Sequence, residues 1–329
     1  MSAPDSPVLV TGAAGFIGAH VCAQLLARGD RVLGLDNFNA YYDPQLKRDR
    51  VQALCPGLAL ETVDIADAEA LQRVFTRHRP GRVVHLAAQA GVRYSLEAPA
   101  VYVQSNLVGF ANVLEACRRS QSTHLVYASS SSVYGAGAEP PFGESQRIDQ
   151  PLSWYAATKV ANEAMAHAYA HLYRLPLTGL RFFTVYGPWG RPDMAPILFV
   201  RAALAGRAVE VFNQGAMRRD FTWIDDIVAG VLAALDRPPD DTGKNPPQRV
   251  FNLGNSQPVA LLRFIDTIEA AVGRPLARIL KPMQAGDMVE TMADTRAAEQ
   301  ALGFHPLTTI EQGLPRLVEW CRGYYAGRA

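Results

Sequence analysis

The chain has 329 residues, 49% of them hydrophobic, and 32 Lys and Arg against 31 Asp and Glu leave a formal charge of +1. That length suffices for one or two domains with a large core, and so even a balance excludes the basic footprint of a nucleic-acid binder. No stretch approaches 18 uninterrupted apolar residues, and Met1 to Pro7 lacks the positive region and apolar core of a leader, so the reading is a soluble cytoplasmic protein with no membrane partner. Cys22, Cys55, Cys117 and Cys321 are isolated, without C-x-x-C spacing, and read as reduced thiols rather than a disulfide framework or a zinc site.

In chain order, Val8 to Val10 is a short apolar run. It meets the turn Thr11-Gly12-Ala13-Ala14-Gly15-Phe16-Ile17-Gly18, and the helical pattern Val21, Leu25, Leu26 follows. Strand, glycine turn and helix in that order let a backbone approach a pyrophosphate at the unpaired N–H groups of a helix N-terminus. A second strand, 31–35, ends in Asp36, placed to accept from ribose hydroxyls, with Asn37 next to it. No arginine follows to pair with a 2′-phosphate, so NAD is favoured over NADP. A third strand, 58–63, delivers Asp64 and Ile65 toward an adenine, and a fourth, 83–88, ends in Leu86, Ala87 and Ala88, small enough at its tip for a dinucleotide to lie close. Strands alternating with helical segments indicate an α/β fold, a doubly wound parallel sheet of Rossmann type.

Helices are expected over 101–120 and 155–173, flanking a strand over 125–128 that runs into Ser129, Ser130, Ser131 and Ser132. Ligands bind beyond the carboxyl ends of such strands, so these hydroxyls reach the cofactor crevice. His167 and His171 have zinc-like spacing, but no glutamate follows His167 and no third ligand is apparent, so no metal is assigned. Tyr155 and Lys159 lie one helical turn apart, where an ammonium and a cationic nicotinamide would lower a phenol whose ordinary pKa is about 10. Beyond Leu180, Pro188, Pro192 and Pro196 mark a loop, 209–212 a short strand, 225–235 a helix and 236–248 an exposed loop. A strand at 251–253 and helices from Leu261 and Leu314 complete a smaller second lobe. The expected division is a dinucleotide-binding domain over 1–182 and, over 183–329, mainly a substrate-binding lobe with some segments returning to the first.

Glycine turn, serine cluster and Tyr-x-x-x-Lys together resemble the extended short-chain dehydrogenase/reductase superfamily. Within it, Gly91-Val92-Arg93-Tyr94-Ser95, Ser105-Asn106-Leu107, the run from Tyr155 to Glu163 and the run from Arg181 to Met194 resemble the UDP-glucuronate 4-epimerases. The resemblance implies NAD as cofactor, a UDP-sugar as substrate and a homodimer built on the two long helices. It implies Ser130 as catalytic hydroxyl, Tyr155 as acid and base, and Lys159 as holder of the nicotinamide ribose. Thr184 and Arg191 then face the sugar, Arg219 clamps the diphosphate, and Val211, Phe212 and Asp287 hold the uridine. Ser131, Ser132, Thr184 and Arg191 offer donors to a sugar carboxylate. Epimerases of neutral hexoses usually carry an arginine where this chain has Gln284. Two other activities stay open here: a UDP-glucuronate decarboxylase or sugar-nucleotide dehydratase, disfavoured by Ser131 and Ser132 where those relatives carry a carboxylate, and a non-catalytic NAD-binding regulator.

Overall fold

Seven parallel strands form the main sheet of the computed structural model, which describes residues 6–284 and 287–327. Residues 1–5, most of the stretch read as carrying no leader, lie outside the described residues. The first strands are β1 (Val8–Thr11), β2 (Val32–Asp36), β3 (Ala59–Thr62), β4 (Arg82–His85), β5 (His124–Ser130) and β6 (Leu177–Phe182). β7 (Thr184–Tyr186), β8 (Val209–Val211), β9 (Arg218–Trp223), β10 (Gln248–Leu253), β11 (Pro258–Ala260) and β12 (Arg278–Leu280) follow. The sheet order is β10-β6-β5-β4-β1-β2-β3, so the winding reverses between β1 and β4 and opens a crevice at their carboxyl ends.

Alternation along β1 feeds two cores. Val8 and Val10 pack with the helices Phe16–Ala27 and Ile224–Asp236 on one face. Leu9 packs with Ala68–His78, Gly109–Arg119 and Trp154–Tyr173 on the other. The helix Trp154–Tyr173 begins where the Ser153 hydroxyl accepts from the Ala156 N–H at 3.1 Å, and it stops at Arg174, whose backbone is left-handed.

The single helix expected over 101–120 is instead assembled from pieces. Tyr94–Glu97 and Pro99–Tyr102 precede a π-helical turn, Val103–Val108, and only then Gly109–Arg119. The wide turn lets the buried Asn106 side chain leave the helix, accepting from Gln89 N–H at 2.8 Å and donating to Gln89 O at 3.0 Å.

After 183 the chain divides between lobes. β10 pairs with β6 at the edge of the main sheet, and Ile224–Asp236 packs on Phe16–Ala27. β7, β9 and β11 form a small separate sheet, β8 and β12 another. The helix Ala195–Ala205 begins within the expected loop, because Pro196 takes a first-turn position where no N–H is required and so opens that helix rather than preventing it, and β9 forms where no element was expected. The last helix starts at Ile310, ahead of the expected Leu314, because Thr309 and Gln312 form a reciprocal capping box.

Candidate active site

A cleft of about 1130 Å³ runs along the carboxyl ends of the main sheet, between it and the second lobe. Its first wall is the glycine turn. Gly12 has φ +70, and a Cβ there would meet Ala87 N at 2.7 Å; a Cβ on Gly18 would meet Gly12 O at 2.0 Å. Only glycine fits, and the cradle so formed is open to a phosphate chain. Gly15, Phe16, Ile17, Leu86, Ala87, Ala88, Asn37, Asp64 and Ile65 line the same wall.

Asp36 is buried at the tip of β2, where one oxygen accepts from Ala14 N–H at 3.2 Å and the other from Phe38 N–H at 2.8 Å. Lys47 Nζ lies 3.5 Å from it, and its side chain is equally buried. Reading the few residues after Asp36 missed this cation, which comes from the next helix, Pro44–Leu54. Asn37 donates to Asp64 at 2.9 Å, bracing the tips of β2 and β3 together.

The floor of the cleft carries Ser130, Tyr155 and Lys159. Ser130 ends β5, hydrogen-bonds to Tyr155 and lies 3.2 Å from the Ser132 hydroxyl. Burial pushes the Tyr155 phenol above its ordinary value, while the Ser130 hydrogen bond and the Arg191 charge pull it down without prevailing. Lys159 is not among the groups that act on the phenol here. Lys159 instead donates to Ala128 O at 2.8 Å, and burial lowers it to about 8 against the opposing charge of Glu163. Glu163, unassigned from sequence, is buried in a two-pronged pair with Arg181 at 2.9 and 2.7 Å and accepts from the Ser129 hydroxyl at 2.6 Å.

The opposite wall comes from the second lobe. Thr184, Arg191, Phe212, Arg219 and Asp287 line it, with Ser131 and Ser132 at its meeting with the floor. Val211 does not: its side chain is fully buried in the core, and its strand neighbours Val209 and Glu210, with Phe212, face the cleft. Burial lowers the Arg219 pKa, and the charge of Asp287 opposes it. Arg93 stacks over the Phe212 ring at 4.9 Å, adding a further cation to the lining. Arg191 does not stand free: its Nε and Nη2 bind both oxygens of Asp193 at 3.1 and 2.7 Å.

One residue ties the walls together. Arg50 is fully buried and donates to Ala14 O in the glycine turn at 2.5 Å and to Trp189 O in the loop after β7 at 3.0 and 2.7 Å. His167 is taken up by Gln248 at 3.2 Å, and no group of three metal-ligating side chains occurs among the described residues.

Set against known proteins, residues 8–254 match the model of the NAD dependent epimerase/dehydratase family. UDP-glucuronate 4-epimerase 3 of Arabidopsis thaliana is 50% identical, over 97% of this chain and 77% of its own length. A probable UDP-glucuronate 4-epimerase of Rhizobium meliloti is 46% identical, over 95% of this chain and 96% of its own. The crystal structure of the Bacillus cereus UDP-glucuronic acid 4-epimerase in complex with UDP-glucuronic acid and NAD superposes with TM-score 0.89 at 32% identity, over 97% of this chain and 100% of that one.

Proposed function

From its membership of the NAD-dependent epimerase/dehydratase family, we propose that this chain is the NAD-dependent enzyme that inverts C4 of UDP-glucuronate to give UDP-galacturonate. The observation that carries the reading is the junction of the two walls at Tyr155. The phenol lies buried where the glycine cradle and Asp36 meet a wall carrying Arg219, Asp287, Thr184 and Arg191.

Asp36 and the cradle of Gly12, Gly15 and Gly18 hold the adenosine end of the cofactor. A 2′-phosphate would meet the Asp36 carboxylate, which favours NAD. NAD held there would supply reversible two-electron oxidation at C4, and its cationic ring would add the positive charge that the phenol needs. Tyr155 accepts the O4 proton and later gives it back, with Ser130 orienting the phenol and Lys159 fixed below it. Arg219 and Arg93 face the diphosphate, and Asp287 and Phe212 the uridine.

After oxidation at C4 the uronate is a β-keto acid, which loses carbon dioxide most readily when its carboxylate turns out of the ring plane into an apolar setting. Ser131, Ser132, Thr184 and Arg191 are donors that stabilise the charge decarboxylation would disperse. They also discriminate against UDP-glucose, which would leave them unpaired in a closed cleft.

We further place the enzyme as a homodimer in the cytoplasm. Support for the dimer is the apolar surface on the two helical segments, Leu96 at 61% exposure and Leu172 at 65% together with Val101, Val108 and Tyr173. Support for the compartment is the four buried cysteines, all unbridged. Light scattering at micromolar concentration checks the first. The function itself is tested by incubating the pure protein with UDP-glucuronate and following the sugar by proton NMR: a new galacturonate anomeric signal with no added reductant is expected, and its absence refutes the reading.

A further inference from the structure

We propose that Asp193, steadied by Tyr41, positions the Arg191 fork for the sugar carboxylate and offsets its charge at the reacting centre, an inference that rests on the uronate reading above. Arg191 has two planar edges able to grip a carboxylate. Asp193 occupies the side-on edge, Nε and Nη2, and leaves Nη1 with the outer hydrogen of Nη2 for a second anion. The Tyr41 hydroxyl donates to Asp193 Oδ2 at 3.0 Å.

Tyr41 lies in the segment after β2, on the cofactor wall, while Arg191 and Asp193 lie in the loop after β7. The three side chains therefore span the cleft that all of them line. Burial and the neighbouring Asp193 raise the Tyr41 phenol to about 12, so it stays a donor. An arginine on a proline-flanked loop, untethered, would follow the substrate carboxylate as it rotates. Tethered, it holds that carboxylate to one plane.

The loss thereby opposed is a defined step. In the 4-keto sugar the C5–C6 bond breaks, carbon dioxide leaves, and the bonding pair stays on C5 as an enolate. The enolate takes a proton at C5 to become a UDP-4-keto-pentose, and the two electrons removed from C4 remain on NADH.

Charge is the second part. Arg191 and Tyr155 line the same cleft, and the Asp193 carboxylate 2.7 Å from the guanidinium offsets the positive charge that Arg191 presents to the phenol. The other groups facing Tyr155 are Ser130 from β5, Ser95, whose hydroxyl accepts from the Tyr155 N–H at 3.3 Å, and the Tyr102 ring at 6.3 Å. Lys159, one turn along the same helix, is held by Ala128 O. Arg191 and Tyr41 are the partners of the Asp193 carboxylate.

The test uses Asp193→Asn and Tyr41→Phe, purified with NAD, against the unaltered protein. Product from UDP-glucuronate is divided by NMR into hexuronate and pentose. Separately, the phenolate absorbance of each protein is titrated and that of the same protein carrying Tyr155→Phe is subtracted. Asp193→Asn is expected to raise the pentose fraction at least tenfold and to lower the Tyr155 midpoint by about one pH unit, the size of a single charge roughly 12 Å away at an effective dielectric near 20. UDP affinity stays unchanged. Tyr41→Phe moves both readings the same way by less, and it decides the matter where Asp193→Asn does not fold. An unchanged product ratio with an unchanged midpoint overturns the inference. Failure of the unaltered protein to convert UDP-glucuronate strikes the substrate reading instead, and the titration still decides the role of Asp193.

Discussion

On the cofactor wall Asp36 is fixed by two backbone N–H groups and by Lys47, and the glycine cradle is closed by contacts that no larger residue would permit. On the sugar wall the corresponding charges stand on long side chains from separate segments: Arg219 from β9, Asp287 from the stretch after β12, Arg191 from the loop after β7. Arg219 donates to the Arg218 and Val289 carbonyls at 3.1 and 3.2 Å, contacts a diphosphate can outcompete. The cofactor wall is thus built before its ligand arrives, and the sugar wall is completed by it. That division suits a cofactor that stays through many turnovers and a substrate that must leave after one.

The sharpest test of the comparison lies where the walls meet. Tyr155→Phe should reduce turnover by 10² to 10⁴, the range typical of a lost general acid–base group, when the C4 epimer is followed by NMR. Because the phenol belongs to neither wall, NAD content and UDP affinity should both be unmoved. A Phe variant with near-normal turnover would place the base elsewhere.

Glu163→Gln probes what underlies the rigid wall. It leaves Arg181 buried without its partner, and a broken buried pair costs about 3–5 kcal/mol, read as a lower urea midpoint. Asp36→Ala and Arg219→Ala divide the walls directly, each removing hydrogen bonds to a charged group worth roughly 1.5–3 kcal/mol. The first should empty the protein of co-purifying NAD and leave UDP binding intact; the second should do the reverse by calorimetry. Crossed effects, with Arg219→Ala losing NAD, would erase the distinction between the walls.

An effect smaller than that of the broken pair concerns Lys159. Burial lowers its folded value from 10.5 to about 8, so between those limits the unfolded chain binds the extra proton. Stability of the cofactor-free protein from this group therefore rises as pH rises through that window. Lys159→Met should flatten the rise by about 2–3 kcal/mol, measured by urea unfolding at both ends of it.

How much of this was legible in the chain depends on how local each feature is. The glycine turn, Asp36, the serine cluster and the Tyr155–Lys159 spacing are written within a strand end or a single helical turn, and the fold assembles them as the pattern implies. The π-turn at Val103–Val108 left no mark, since its hydrophobic pattern reads as ordinary helix. β9 was hidden by its polar start, Arg218-Arg219-Asp220, although Asp220 is fully buried and accepts from the N–H groups of Asn255, Ser256 and Ala293. Arg50 and Trp189 meet across 139 residues, and no window on the sequence joins them. Val211 was assigned by position in a motif, and its side chain is instead fully buried in the core beside Val209.

The return of β10 to the main sheet has a consequence for how such a molecule can diversify. A chain cut and rejoined near 183 would not exchange one sugar lobe for another, because the transplanted piece would carry off an edge strand of the cofactor sheet and the helix Ile224–Asp236 that covers it. The two lobes are threaded through each other and cannot be shuffled as cassettes. New sugar preferences must then arise in place, by substitutions at single positions such as Thr184, Asp193 or Phe212, each accepted only if the shared scaffold still closes around NAD.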